Sequence, residues 1–118
     1  MNSGFPTTLL DSAIARKIKT QEELRLKVIK KVFAVLDKLA LKIHFDDAYI
    51  FGSAAKPFRF YEGSDLDIGF VGLEDKYFFK AMSFISQEAG LETDIIQLEG
   101  HRLAEKIKRE GIRWKKRD

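Results

Sequence analysis

Apolar residues recur along this chain with two different periods. Leu24, Val28, Ile29, Val32, Leu36 and Leu39 return every three or four positions, while Lys27, Lys30, Lys31 and Lys38 fall mostly off that stripe. This spacing predicts an amphipathic helix over residues 21–41. Thr20 followed by Glu23 has the form of a capping box, so the helix is expected to begin there, with a separate shorter helix over 8–19. Asp47 to Phe51 is a short apolar run halted by Gly52 and predicts a buried strand. Residues 52–64 contain Gly52, Pro57 and Gly63 and predict a loop or short broken helix.

From Asp65 to Phe70 the pattern alternates with period two and predicts a second strand. Asp75 can cap a helix from Lys76 to Ala89 that Gly90 ends. Thr93 to Leu98 predicts a third strand, and Leu103, Ala104 and Ile107 mark a last helix closed by Gly111. This order implies an α/β or α+β fold, a small mixed β-sheet with helices packed against it.

With 118 residues the chain is the size of one domain, and it is treated as one over 1–118, with 1–19 as an N-terminal extension and 113–118 as a basic tail. A composition that is 45% hydrophobic and 33% charged excludes wholesale disorder. The absence of cysteine excludes disulfides, thiolate metal sites and a cysteine nucleophile, and it suits a reducing cytoplasm. No apolar run reaches the roughly 18–20 residues that a membrane span needs, and the first ten residues lack the form of a secretory signal. The net charge of +3 is uneven. Residues 101–118 hold eight basic and three acidic side chains, which leaves 13 basic and 15 acidic in residues 1–100. A basic tail of this kind suits nucleic acid, an acidic partner or simply a solvated face.

Candidate chemistry centres on acidic residues. On a strand, Asp65 and Asp67 project to the same face while Leu66, Ile68 and Phe70 face the other way. Two like charges so placed favour a cation between them, and Mg²⁺ commonly takes one or two carboxylates together with substrate phosphates. Upstream, Gly52 and Ser53 follow a strand, where a glycine lets a phosphate approach the backbone and the hydroxyl can donate to it. Downstream, Asp94 is expected within the third strand beside Ile95 and Ile96, where a carboxylate is costly unless paired or metal-bound. The pattern G-x-x-x-x-G-K-[ST] is absent, which argues against a P-loop NTPase. The two histidines, His44 and His101, lie too far apart in sequence for an i, i+4 metal pair.

Ile50-Phe51-Gly52-Ser53, then eleven residues, then Asp65-Leu66-Asp67-Ile68 resembles the signature of the DNA polymerase β-like nucleotidyltransferase superfamily. In size the chain is similar to the minimal nucleotidyltransferases, which include antitoxins paired with HEPN-domain toxins. The closing Ile107-Lys108-Arg109-Glu110-Gly111-Ile112 resembles a helix end common in that group. The resemblance spans residues 45–113. It implies a nucleotidyltransferase-like fold and an enzyme that uses Mg²⁺ and transfers AMP from ATP to a hydroxyl, such as a tyrosine of a HEPN partner. Asp65, Asp67 and Asp94 would be the catalytic, metal-holding residues, and Gly52, Ser53, Ser64 and Lys56 would contact the nucleotide. The chain departs from the resemblance in having Ala54-Ala55-Lys56-Pro57 where an arginine commonly follows Gly-Ser, and Lys56 or Arg59 is the available substitute. The alternative is a catalytically weak module that neutralises its partner by binding alone.

Two aromatic groups complete the pattern. Tyr77, Phe78, Phe79 and Phe84 have helical spacing and are expected in the core. Phe58, Phe60 and Tyr61 lie in the breaker-rich loop and either stack on a base, pack beneath the loop or meet a partner. Trp114 amid Arg113, Lys115, Lys116 and Arg117 either stacks on RNA, meets a partner or packs on the body, and self-association is a further expectation.

Overall fold

A computed structural model describes residues 7–116 of the chain. Helix α1 (Thr7–Ala40) leads into strand β1 (Asp47–Phe51), a 3-10 turn (Gly52–Ala55) and strand β2 (Leu66–Val71). A second 3-10 turn (Asp75–Tyr77) precedes helix α2 (Phe78–Ala89), followed by β3 (Thr93–Gln97), α3 (Ala104–Glu110) and β4 (Ile112–Lys115). The strands form one mixed sheet in the order β3-β2-β1-β4. β1 is antiparallel to β2 and β4, and β2 and β3 are parallel, joined by α2 in a βαβ crossover. The expected α+β sheet with packed helices is the fold observed.

Strand alternation divides the sheet into two faces. Ala48, Ile50, Leu66, Ile68 and Phe70 are fully buried against Val32, Leu36 and Leu39 of α1 and Ala81 and Ile85 of α2. On the opposite face, α3 lays Ile107 on Tyr49 and Leu98, with Phe51, Val71 and Ile96 around them. A Cβ at Gly111 would come within 2.9 Å of the Ile50 carbonyl oxygen, so the missing side chain lets the end of α3 sit on β1. At seven residues α3 is only about 10 Å long, and at the entry end of β2 and β3 the side chains of Asp65 and Asp94 are exposed.

Three expectations about elements need correction. Residues 7–40 form one continuous helix, not two, because no breaker interrupts them and the apolar stripe runs on through Ile14 and Ile18. Thr20 does not cap: its hydroxyl donates back to the Arg16 carbonyl at 2.9 Å. The helix spans about 51 Å, and its first half projects from a body whose other extents are 28 and 25 Å. Asp75 opens a 3-10 turn rather than capping α2, and its carboxylate accepts a bond of 2.6 Å from the Gln97 side chain.

The third correction concerns the tail. Ile112–Lys115 is an edge strand paired with β1, and Trp114 is 3% exposed with its Nε1–H donated to Asp37 of α1 at 2.8 Å. The indole therefore packs on the body beside Phe45 rather than standing free to stack on a ligand. Arg113 and Lys115, which alternate with Ile112 and Trp114, masked this strand in the sequence, since an edge strand exposes one face and can carry charge there. Residues 117–118 of the expected tail, and residues 1–6 of the expected extension, lie outside the described residues. Among the described residues, no helix is long and apolar enough to cross a membrane.

Candidate functional site at the entry end of β2 and β3

The chain leaves β1 at Phe51 and turns at once through Gly52, whose φ of 73° belongs to the left-handed region. A Cβ on residue 52 would collide with the Asp67 carboxylate and lie 3.3 Å from its Cγ. Glycine is needed there twice over, for the backbone angle and for the space. Ser53 and Ala54 follow in the 3-10 turn, with Lys56 exposed beyond it.

Asp67 pairs across the sheet with Phe51 on one side and Asp94 on the other. Because Leu66 and Ile68 point into the core, Asp67 faces the α3 side. In the parallel register Asp94 stands next to it on the same face. Asp94 is the second residue of β3 and is exposed, so the expected burial within an apolar strand does not hold. Its proximity to Asp67, not a desolvation cost, is what marks it. Asp65 lies one residue ahead of β2 rather than within it, and is exposed. The Asp67 carboxyl is held above the usual carboxylate range by partial burial first, then by the Asp94 charge and the Asp65 charge. The three predicted carboxylates are thus within electrostatic reach of one another.

Among the described residues, no group of three His, Cys, Asp or Glu side chains is close enough to enclose a metal ion on its own. The donor set nonetheless fits Mg²⁺, a hard cation that commonly takes one or two carboxylates and completes its shell with water and phosphate oxygens. An added cation would also offset the Asp94 and Asp65 charges that, after burial, help to hold the Asp67 carboxyl in its raised state.

Ser64 sits apart from this row. Its hydroxyl oxygen accepts the Tyr61 amide at 3.1 Å and helps close the turn before β2. Of the loop aromatics, Phe60 is buried, whereas Phe58 and Tyr61 are 62% and 58% exposed. Tyr77 of the second 3-10 turn and Phe78 and Phe84 of α2 pack against the core as expected, but Phe79 is 74% exposed. Helical spacing places Phe79 near its aromatic neighbours, yet only the position of the sheet determines which of them is covered.

Two functional positions were not anticipated. Arg25 of α1 is nearly buried; its Nη1 donates to the Ala54 carbonyl at 3.1 Å and its Nε donates to Glu22 at 3.0 Å. Glu22 also accepts the Phe58 amide at 2.7 Å. These bonds hold both ends of the segment after Gly52 against α1. Arg25 and the Phe58 amide also hold the Glu22 carboxyl below its usual range. Phe58 has a φ of 65°, uncommon for a non-glycine residue, and the hydrogen bond its N–H donates to Glu22 anchors it there. The signal was present in sequence: Arg25 sits seven residues before Val32 on the apolar stripe, an odd place for a cation.

No protein-family model matches the chain, and no curated protein matches it. The class it belongs to is therefore defined by fold and site alone: a small α+β domain with a carboxylate row beside a glycine-initiated turn.

Proposed function

We propose that this protein is a Mg²⁺-dependent nucleotidyltransferase that moves AMP from ATP to a hydroxyl, with a tyrosine of a HEPN-domain partner as the acceptor. The observation that supports this most is the row Gly52, Asp67, Asp94, in which a side-chain-free turn lies against one carboxylate and a second carboxylate stands next to it in register. Asp65 and Asp67 would hold the cation, and Gly52 and Ser53 would receive the phosphates at a backbone that no side chain obstructs. When bound, Mg²⁺ would neutralise phosphate charge and polarise the α-phosphorus.

The acceptor oxygen bonds to the α-phosphorus, the bond to the bridging oxygen breaks, and pyrophosphate leaves. The hydroxyl proton passes to the carboxylate side of the site, where Asp94 is exposed and able to accept it. The test is ATP titration calorimetry with and without Mg²⁺, on the wild type and on an Asp65→Asn, Asp67→Asn double variant. Metal-dependent binding that the variant loses supports the reading. Equal binding in both would place the nucleotide elsewhere and overturn it.

A second reading is a binding module without transfer activity, favoured by the exposed rings of Phe58 and Tyr61 beside the turn. It predicts that the double variant still binds and inhibits the partner while Phe58→Ala and Tyr61→Ala do not.

A further inference from the structure

The sheet ends on β3 at one side and on β4 at the other, and the two edges differ. β4 has Arg113 and Lys115 at its exposed positions, charged side chains of the kind that discourage another strand from pairing. β3, Thr93-Asp94-Ile95-Ile96-Gln97, has no lysine, arginine or proline. The Glu92 carbonyl and the Leu98 amide bond inward to β2, so strand alternation turns the N–H and C=O groups of Thr93, Ile95 and Gln97 outward. Among the described residues, β3 pairs with β2 alone. An open groove of about 700 Å³ runs along this free edge, bordered by Phe79 and Met82 of α2 and reaching Thr93 and Asp94. The exposed Phe79 ring stands edge-on to Phe78, with 5.3 Å between centroids. From Phe79 to Ser86, which also lines the groove, α2 advances about 10 Å, the length of about three residues of extended chain.

We propose that this groove receives an extended peptide as an added strand on β3, and that this peptide carries the acceptor hydroxyl. The proposal rests on the nucleotidyltransferase reading above and gives its acceptor a conformation and a sequence pattern. Residues side by side on neighbouring strands project to the same face. The peptide residue beside Asp94 therefore lines up with Asp94 and Asp67 on the α3 side, so its hydroxyl joins the carboxylate row. In an antiparallel addition Asp94 falls in a non-hydrogen-bonded pair, the kind whose side chains stand closest. The peptide residues beside Thr93 and Ile95 point the other way, towards Phe79 and Met82, and are favoured when apolar. Glu92 is exposed at the end of the groove and favours a basic residue next to it. The acceptor pattern is thus basic, apolar, hydroxyl, apolar.

The test is calorimetric titration of the whole chain with the peptide Lys-Val-Tyr-Val-Lys, both ends blocked, in the absence of nucleotide. Strand addition needs neither ATP nor Mg²⁺, so the peptide should bind by itself. Phe79→Ser, a change at an exposed position, should weaken it about tenfold, the scale of losing one aromatic anchor. Methylating the amide nitrogens of both valines removes the donors to the outward carbonyls of β3 and should abolish binding. The proposal is overturned if the peptide fails to bind at millimolar concentration, or if its binding ignores either valine methylation or Phe79→Ser. Adding ATP and Mg²⁺ and reading the products by mass spectrometry separates the two claims. AMP on the peptide tyrosine, reduced by Phe79→Ser, supports both. Strand binding without transfer leaves the groove standing and removes the transferase reading. Transfer to free tyrosine or to an RNA hydroxyl, unchanged by Phe79→Ser, keeps the transferase reading and removes the groove.

Discussion

The Asp67 carboxylate occupies the space that a side chain on residue 52 would need, so Gly52 and Asp67 are fixed by one another. The first consequence is for Gly52→Ala. The left-handed backbone alone costs about 1–2 kcal/mol for a residue with a Cβ, and the new methyl also forces Asp67 to move. Urea unfolding should show a loss of at least that size, and metal-dependent ATP binding should fall with it.

Asp67 is held by its surroundings in a state that its ionised form finds unfavourable. A carboxyl raised on folding favours the native state while protonated, and that contribution is lost as pH rises through its folded value. Asp67→Asn should therefore stabilise the metal-free protein at neutral pH, with the difference from wild type closing in acid. Thermal melts at both pH values check this. Adding Mg²⁺ with ATP should raise the melting temperature of the wild type only, by about 2.7 kcal/mol of stability when the ligand is at a hundred times its Kd.

Glu22 has the opposite sign. Its carboxyl is lowered from an ordinary value of 4.5 by Arg25 and by the Phe58 amide. Its contribution is present above that value and disappears as pH falls through the folded one. Glu22→Gln should loosen the Gly52–Phe58 segment at neutral pH, seen as faster amide exchange at Phe58, and the contrast with wild type should vanish in acid. Arg25→Ala is the harsher change, since it leaves the Ala54 carbonyl and Glu22 without their partner, and should cost about 2–3 kcal/mol.

Trp114→Phe keeps an aromatic ring next to Phe45 but removes the donor to Asp37. A loss of about 1–2 kcal/mol is expected, read by denaturant unfolding followed by circular dichroism. An unchanged stability would mean that β4 is held by its pairing with β1 alone.

Local pattern alone determined much of this protein. Alternation at Leu66, Ile68 and Phe70 set which face of β2 is buried and hence where Asp67 points, because side-chain direction on a strand has a fixed period. Helical spacing likewise identified Val32, Leu36 and Leu39 as core. Tertiary structure decided the rest, since contacts between residues far apart in sequence leave no local period. Only the parallel pairing of β2 with β3 sets Asp94 beside Asp67. Only the path of α1 brings Arg25 to Ala54, twenty-nine residues away. The sheet, not its own charge-rich sequence, makes β4 a strand, because pairing with β1 and the Trp114 anchor on α1 outweigh a pattern that reads as a basic tail.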